Sequence, residues 1–362
     1  MQQDNRSYVV INIDLLISNI KLYRSINKFK RIIAIVKANA YGHGIEIIKY
    51  IEPFIDGLGV ATVNEGSLVR QITNLPILIL GYLSKFEFPL LSQYGLTPCV
   101  YSTQIAEALS EYFLKENASI DCHVKINTGM NRLGICFDDL SAFKHLYDLP
   151  TLNYVGIFSH FASADCDKEF TELQSERFIS AVKQCERIGF KFDFVHIANS
   201  VRSLSGNSFG NTIRIGYGMY GYGDSRLTPI LSWFAKVILV YTIKPGDTVG
   251  YGRTFVAKGD CKIAVISVGY GDGYPRNLSN CGSVLYKGQT LPVIGRVCMD
   301  MIFVCANNSD IKENDTVCLI GKSGDKIITA ENLGFGYEIL CGISNRVERT
   351  YISEAESLRG QY

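Results

Sequence analysis

At 362 residues the chain has room for about two to three domains. Its 36 Lys plus Arg against 35 Asp plus Glu leave none of the basic excess that marks nucleic-acid or anionic-membrane surfaces. A composition of 47% hydrophobic and 20% charged residues supplies a large core and excludes wholesale disorder.

In chain order, Met1 to Arg6 has no apolar h-region, so no signal peptide is expected. Short apolar runs then predict buried strands at Tyr8–Ile13, Ile32–Val36, Gly57–Ala61, Ile77–Leu80, Pro98–Ser102, Ile120–Ile126, Tyr154–His160, Phe194–Ile197 and Ile213–Tyr217. Helix-like windows lie between most of them: Asp14–Phe29, Gly44–Ile51, Glu65–Gln71, Thr103–Lys115, Asp138–Tyr147 and Lys168–Ile188. Asp14 and Thr103 stand where N-caps are expected. The charge-free run Phe88–Ala106 is interrupted by Pro89, Gly95 and Pro98 and is not a membrane span. Strand and helix alternate to about residue 220, which predicts a parallel (β/α) barrel with its functional groups at the C-terminal strand ends. From Leu231 the texture changes to strands separated by turns such as Lys244-Pro245-Gly246-Asp247, with one helical window near Thr329–Leu340. The division expected is an α/β barrel over residues 1–225 and a β-rich domain over 226–362. The 11 cysteines contain no C-x-x-C, and the five histidines share no ligand spacing. Buried thiols in a reduced, cytoplasmic chain fit best, with no metal.

Lys37 follows the run Arg31-Ile32-Ile33-Ala34-Ile35-Val36. A lysine at the end of an apolar strand faces the mouth of a barrel, where desolvation lowers its pKa and frees the amine for Schiff-base chemistry. The small residues, tyrosine and glycines of Ala38-Asn39-Ala40-Tyr41-Gly42-His43-Gly44 suit a flat cofactor with a phosphate.

The segment Val36–Gly44, VKANAYGHG, resembles the pyridoxal-phosphate lysine motif of the alanine racemase family. Seven further segments resemble that family in order: KINTGMNRLG at Lys125–Gly134, SHFASAD at Ser159–Asp165, HIANS at His196–Ser200, IRIGYGMYG at Ile213–Gly221, VGYGRTF at Val249–Phe255, GYGDGYPR at Gly269–Arg276 and GRVCMDM at Gly295–Met301. The resemblance implies pyridoxal 5'-phosphate as cofactor, small amino acids as substrates, and a homodimer whose active sites take residues from both subunits.

It also implies roles. Lys37 holds the cofactor and serves as one acid/base. Tyr251, from the partner subunit, serves as the other on the opposite face of the substrate. A free phenol titrates near ~10, so Tyr251 needs cationic or hydrogen-bonding neighbours to act at neutral pH. Arg214 is expected to face the ring nitrogen, oriented by His160. Tyr41, Ser200 and the backbone around Asn199, Gly216 and Tyr217 are expected at the phosphate. Arg132 and the Met299 backbone are expected at the substrate carboxylate. Lys125 matches a lysine that relatives often carbamylate, which turns a cation into an anion able to pair with Arg132. Asn127 departs from the aspartate that many relatives carry there.

The segment Ser344-Asn345-Arg346-Val347-Glu348-Arg349 places Asn345 where alanine racemases carry a tyrosine that crowds the substrate pocket. A smaller side chain with both donor and acceptor suits a hydroxymethyl substrate. In this the chain resembles the catalytic domain of the membrane-bound serine racemases of vancomycin-resistance operons, in which a multi-span half precedes the racemase. The sequence reading is therefore a serine racemase with alanine as a second substrate, supplying D-amino acid for peptidoglycan precursors. The alternative is a housekeeping alanine racemase.

Overall fold

Arg31–Ile35 reads Arg-Ile-Ile-Ala-Ile, and every residue after the first is buried. A β-branched run without polar alternation can only be covered on both faces, which is the requirement of a parallel sheet inside a ring of helices. The computed structural model describes residues 5–353 and meets that requirement. One compact unit comprises Leu16–Ala40 and Ile45–Thr228. Within it, strands Arg31–Ile35, Gly57–Val60, Ile77–Ile79, Cys99–Val100, Ile120–Asn127, Leu152–Phe158, Phe194–His196 and Thr212–Ile215 succeed one another around a parallel barrel. The ring closes through a parallel bridge from Leu78 to Thr97 and through backbone bonds from Asn211 to Val195 (3.1 Å) and Arg214 to Ala198 (3.0 Å).

The helices around it begin and end on identifiable side chains. Thr62 and Glu65 form a capping box at Val63–Arg70. Asp167 caps Lys168–Ile188 by accepting from Phe170 N–H at 2.9 Å. Two expected caps are corrected. Thr103 is the first helical residue, and Ser102 is the cap, accepting from Ile105. Likewise Asp14 lies in the first turn of Ile13–Ile26, while Asn12 accepts from Leu15 at 3.0 Å. The run around Pro89 also contains a helix, Phe88–Tyr94. The proline begins it, where its missing N–H costs nothing, and Gly95 in a left-handed conformation ends it.

The second unit takes the chain up to Leu15, the short segment Tyr41–Gly44, and everything from Pro229. Its nine-stranded sheet includes Ser7–Asn12, antiparallel to Leu231–Ile243 on one side and parallel to Glu348–Ile352 on the other. The first strand, read above as part of the barrel, therefore belongs to the β-rich unit. Its alternating burial is that of a strand covered on one face only. Leu231–Ile243 pairs with Thr316–Ser323 through its first half and with Cys261–Ile266 through its second, with a register shift between Val237 and Leu239. Trp233 is fully buried on this strand and donates from Nε1 to Ser7 Oγ at 2.8 Å. The helical window near the C-terminus is two short helices, Ala330–Leu333 and Gly336–Gly342, separated at Gly334. No helix among the described residues is long and apolar enough to cross a membrane.

Candidate active site

Lys37 stands two residues beyond the strand Arg31–Ile35. The next four residues, Ala38 to Tyr41, all have φ of 52–53°. Left-handed backbone costs roughly 1–2 kcal/mol per residue for L-amino acids, so this turn persists only because its surroundings hold it. Inside the barrel unit the holding contacts are specific. Val36 N–H donates to Gly59 O at 2.9 Å, and Ala40 N–H donates to Val36 O at 2.9 Å. Ala38 N–H donates to Glu65 Oε1 at 2.7 Å, and Ile45 N–H to Asn39 Oδ1 at 3.1 Å. Tyr220 donates its hydroxyl to Ile35 O at 3.0 Å, fixing the strand just before the lysine.

Arg214, on the last barrel strand, is only 4% exposed. Its Nη1 donates to His196 Nδ1 (2.7 Å) and His196 O (3.1 Å). Its Nη2 donates to Ser159 O (2.7 Å), Ile197 O (3.1 Å) and His160 Nδ1 (3.1 Å). Burial lowers its pKa to about 9, which still leaves a cation at neutral pH. The contact between His160 and Arg214 is thus present, with the imidazole accepting. His160 is held down at about 3, first by burial, then by the charges of Arg214, Arg132, Lys125 and Lys37. Four cations therefore share one neighbourhood at the C-terminal strand ends.

Lys125 is 6% exposed, and its ammonium lies 5.4 Å from the centre of the Phe158 ring. Burial lowers its pKa, and Arg132, Arg214 and Lys37 act the same way against an opposing effect of Cys99. Asn127 does the structural work an aspartate would do in this loop. Its Oδ1 accepts from Gly129 (3.1 Å) and Asn131 (3.0 Å), but it brings no charge. Arg132 is exposed.

Asn199 caps the short helix Ser200–Ser203, accepting from Arg202 at 3.1 Å. The Ser200 hydroxyl accepts from Gly216 N–H at 2.8 Å and Gly218 N–H at 3.4 Å. Ser200 and Gly216 are accordingly neighbours, as a shared anion cradle needs, with Tyr217 following directly in the chain. This donor set fits a phosphorylated, electron-withdrawing cofactor: a strand-end lysine, a hydroxyl beside backbone amides, and an arginine held by carbonyls and imidazoles.

The other predicted residues lie in the second unit. Tyr41 is buried, its ring 5.9 Å from that of Tyr337, and burial pushes its phenol well above the ordinary range. The following Gly42 is obligatory, because a Cβ there would lie 1.9 Å from Leu340 O. Arg349 clamps the Gly42 carbonyl from Nε and Nη2 (3.2 and 3.1 Å). Tyr251 and Met299, 70% and 51% exposed, line one open cavity of about 340 Å³ with Cys298, Asp300 and Phe303. Asn345 is exposed in the segment that Arg346 pins to the same turn by donating to Asp300 Oδ1 at 2.6 Å.

Sequence reasoning missed several supporting residues. Glu65 was read only as the start of a helix, although the Thr62-x-x-Glu65 spacing marks a capping carboxylate. Gln174 is fully buried and joins Thr128 Oγ1 (3.1 Å), His160 O (3.0 Å) and Ala162 N–H (2.9 Å). Nothing in its helix announces that role. His123 and His196 are buried as well.

Comparison with known proteins identifies the family and the fold. The family described as "Alanine racemase, N-terminal domain" matches residues 11–224, and "Alanine racemase, C-terminal domain" matches 230–351. The alanine racemase of Cutibacterium acnes is 34% identical, covering 96% of this chain and 98% of that protein. The solved alanine racemase of Clostridium difficile 630 superposes with a TM-score of 0.91 at 32% identity, covering 98% of this chain and 97% of that one. That of Bartonella henselae, solved with covalently bound pyridoxal phosphate, gives 0.85 at 26% identity over 96% of this chain and 100% of that one. None of these relatives is named a serine racemase.

Proposed function

Because the chain belongs to the alanine racemase family, we propose that it is a pyridoxal-phosphate-dependent amino-acid racemase whose principal substrate is alanine. The observation that carries the reading is the strand-end lysine on its left-handed turn, in one neighbourhood with Arg214, Arg132 and Lys125.

When bound, pyridoxal phosphate supplies a carbonyl for the substrate amine and an electron sink that eases loss of the α-proton. The chain's own residues do the rest. Lys37 Nζ holds the cofactor and moves the proton on one face. The Tyr251 phenol, contributed by the other subunit of a homodimer, moves it on the opposite face. Arg214 keeps its protons and so donates to the ring nitrogen without protonating it, which makes the sink weaker and favours quick return of the proton over side reactions. Ser200, the Gly216 and Tyr217 amides, Asn199 and Tyr41 receive the phosphate. Arg132 and the Met299 backbone receive the substrate carboxylate. Lys125, carbamylated, gives Arg132 the negative partner that Asn127 does not.

A second reading rests on Asn345. An exposed amide in place of a tyrosine leaves room and hydrogen-bonding groups for a hydroxymethyl side chain, so serine is proposed as a further substrate. A role in peptidoglycan supply or vancomycin resistance has no support beyond that one residue. The deciding experiment assays racemisation of L-alanine and L-serine in parallel on untreated protein, with borohydride trapping of the cofactor on a separate sample. Label on Lys37 with alanine turning over faster is the expected result. Absence of a chromophore or label elsewhere overturns the racemase reading, and faster serine turnover makes serine the principal substrate.

A further inference from the structure

A guanidinium can only donate, so the His196 Nδ1 that lies 2.7 Å from Arg214 Nη1 must accept. The one proton of a neutral His196 ring then sits on Nε2. That nitrogen is 3.0 Å from Nδ1 of His123, which must accept in turn and carry its own proton on Nε2. The contacts form a chain with a single direction, Arg214 to His196 to His123, across three barrel strands. Burial and the Arg214 charge keep both rings neutral: His123 is lowered to about 3 and His196 well below its ordinary value.

The barrel wall is built to hold this chain. Cys122 stands opposite Tyr154, but His123 stands opposite Gly156, so one residue of the neighbouring strand is bulged out. Bulges re-aim side chains. Here the bulge brings the His123 ring against Gly156, where a Cβ would lie 2.4 Å from His123 Nδ1. Phe158 stacks on His196 at 5.0 Å and 7°, and Phe194 lies 5.3 Å from His123. The far end is not sealed. His123 lines a cavity of about 150 Å³ with Gly57, Pro76, Asp121 and Asp193, residues at or before the N-terminal ends of their strands. That volume admits water, a ready acceptor for Nε2–H.

We propose that His123 is a positioning residue for Arg214, acting through His196 from the end of the barrel opposite Lys37. Without an acceptor at His123, His196 is free to carry its proton on Nδ1, an N–H then faces the guanidinium, and Arg214 is displaced. The inference rests on the reading of Arg214 as the cofactor's ring-nitrogen partner.

The test has two arms. In the apoprotein labelled with nitrogen-15 histidine, His123 and His196 should both report neutral Nε2–H rings between about pH 6 and 9. A protonated ring or an Nδ1–H at His196 overturns the proposal, whether or not the chain is a racemase. In the holoenzyme, His123→Leu removes the acceptor, whereas His123→Asn keeps one near the position of Nδ1. His123→Leu should lower kcat on the order of 10-fold, the scale lost when an outer partner is removed, with KM little changed. It should also alter the pH dependence of the bound cofactor's absorbance, and His123→Asn should restore both. Equal losses in the two variants, or none in either, overturn the proposal. Should the leucine variant not fold, the wild-type tautomers decide.

Discussion

The carboxylate of Glu65 accepts from the N–H of Ala38 at 2.7 Å, while its other oxygen accepts from Ala61 (2.7 Å) and Thr62 (3.3 Å). One side chain thereby starts a helix and holds the left-handed turn that follows Lys37. Glu65→Leu leaves these donors without their acceptor, at a cost of about 1–3 kcal/mol for a buried group and less for those that reach water. The variant should unfold at lower urea and be trapped at Lys37 by borohydride in lower yield. Unchanged trapping would show that the turn does not depend on Glu65.

Tyr251 and Met299 share an open hollow in the β-rich unit, and both are proposed to serve the neighbouring subunit's site. Inactive Lys37→Ala protein mixed with inactive Tyr251→Phe protein should then regain activity, because one site of the mixed dimer holds both intact bases. Mass spectrometry of differently tagged chains checks that subunits exchange. Exchange without rescue means that each site is built within one chain.

Asn345 is exposed and Arg346 beside it donates to Asp300, so position 345 can be altered without removing that anchor. An apolar pocket separates alanine from serine only weakly, by about a hundredfold at most. Asn345→Tyr should reduce serine turnover and move the ratio of kcat/KM further towards alanine. The ratio measured on both proteins decides, and no change assigns the choice of substrate to other residues.

His160 and His123 are both held near 3, below the ordinary 6.5, chiefly by burial. A depressed folded pKa means that the unfolded chain binds these protons first as pH falls. Their contribution to stability is complete above about 6.5 and is lost progressively towards 3. Urea midpoints measured across that range should fall with pH, and His160→Gln should flatten the decline. A variant with an unaltered slope would remove His160 from the account.

Much of this was legible in the chain. Barrel strands such as Arg31–Ile35 announce themselves because a strand buried on both faces needs a nearly unbroken apolar run, whereas Ile120–Asn127 is interrupted by Asp121, His123 and Lys125 and is carried by its alternating Ile, Cys, Val and Ile. Ser7–Asn12 is equally apolar, but a six-residue run does not say which sheet it joins, and its partners lie more than two hundred residues away. The caps at Asn12 and Ser102 were each misplaced by one or two residues, since adjacent polar residues compete for the same role. Lys37, Arg214 and Ser200 stand out in the sequence through their motifs. His123 and His196 were not paired, because their meeting depends on a strand register and on a bulge that no local pattern records.

Two strands more than three hundred residues apart in the chain lie side by side: Tyr8–Asn12 pairs residue for residue with Glu348–Ile352. The barrel has all eight of its strands once Ile215 has been synthesised, and it can condense while the remainder is still being translated. The β-rich unit cannot. Ser7–Asn12 waits, with unsatisfied edges, for partners that lie more than two hundred residues further along the chain. Closing so long a loop is slow and leaves a strand open to wrong pairing in the interval. Nascent chains released short of Glu348 should therefore carry a protease-resistant barrel beside a sheet that is still cleaved.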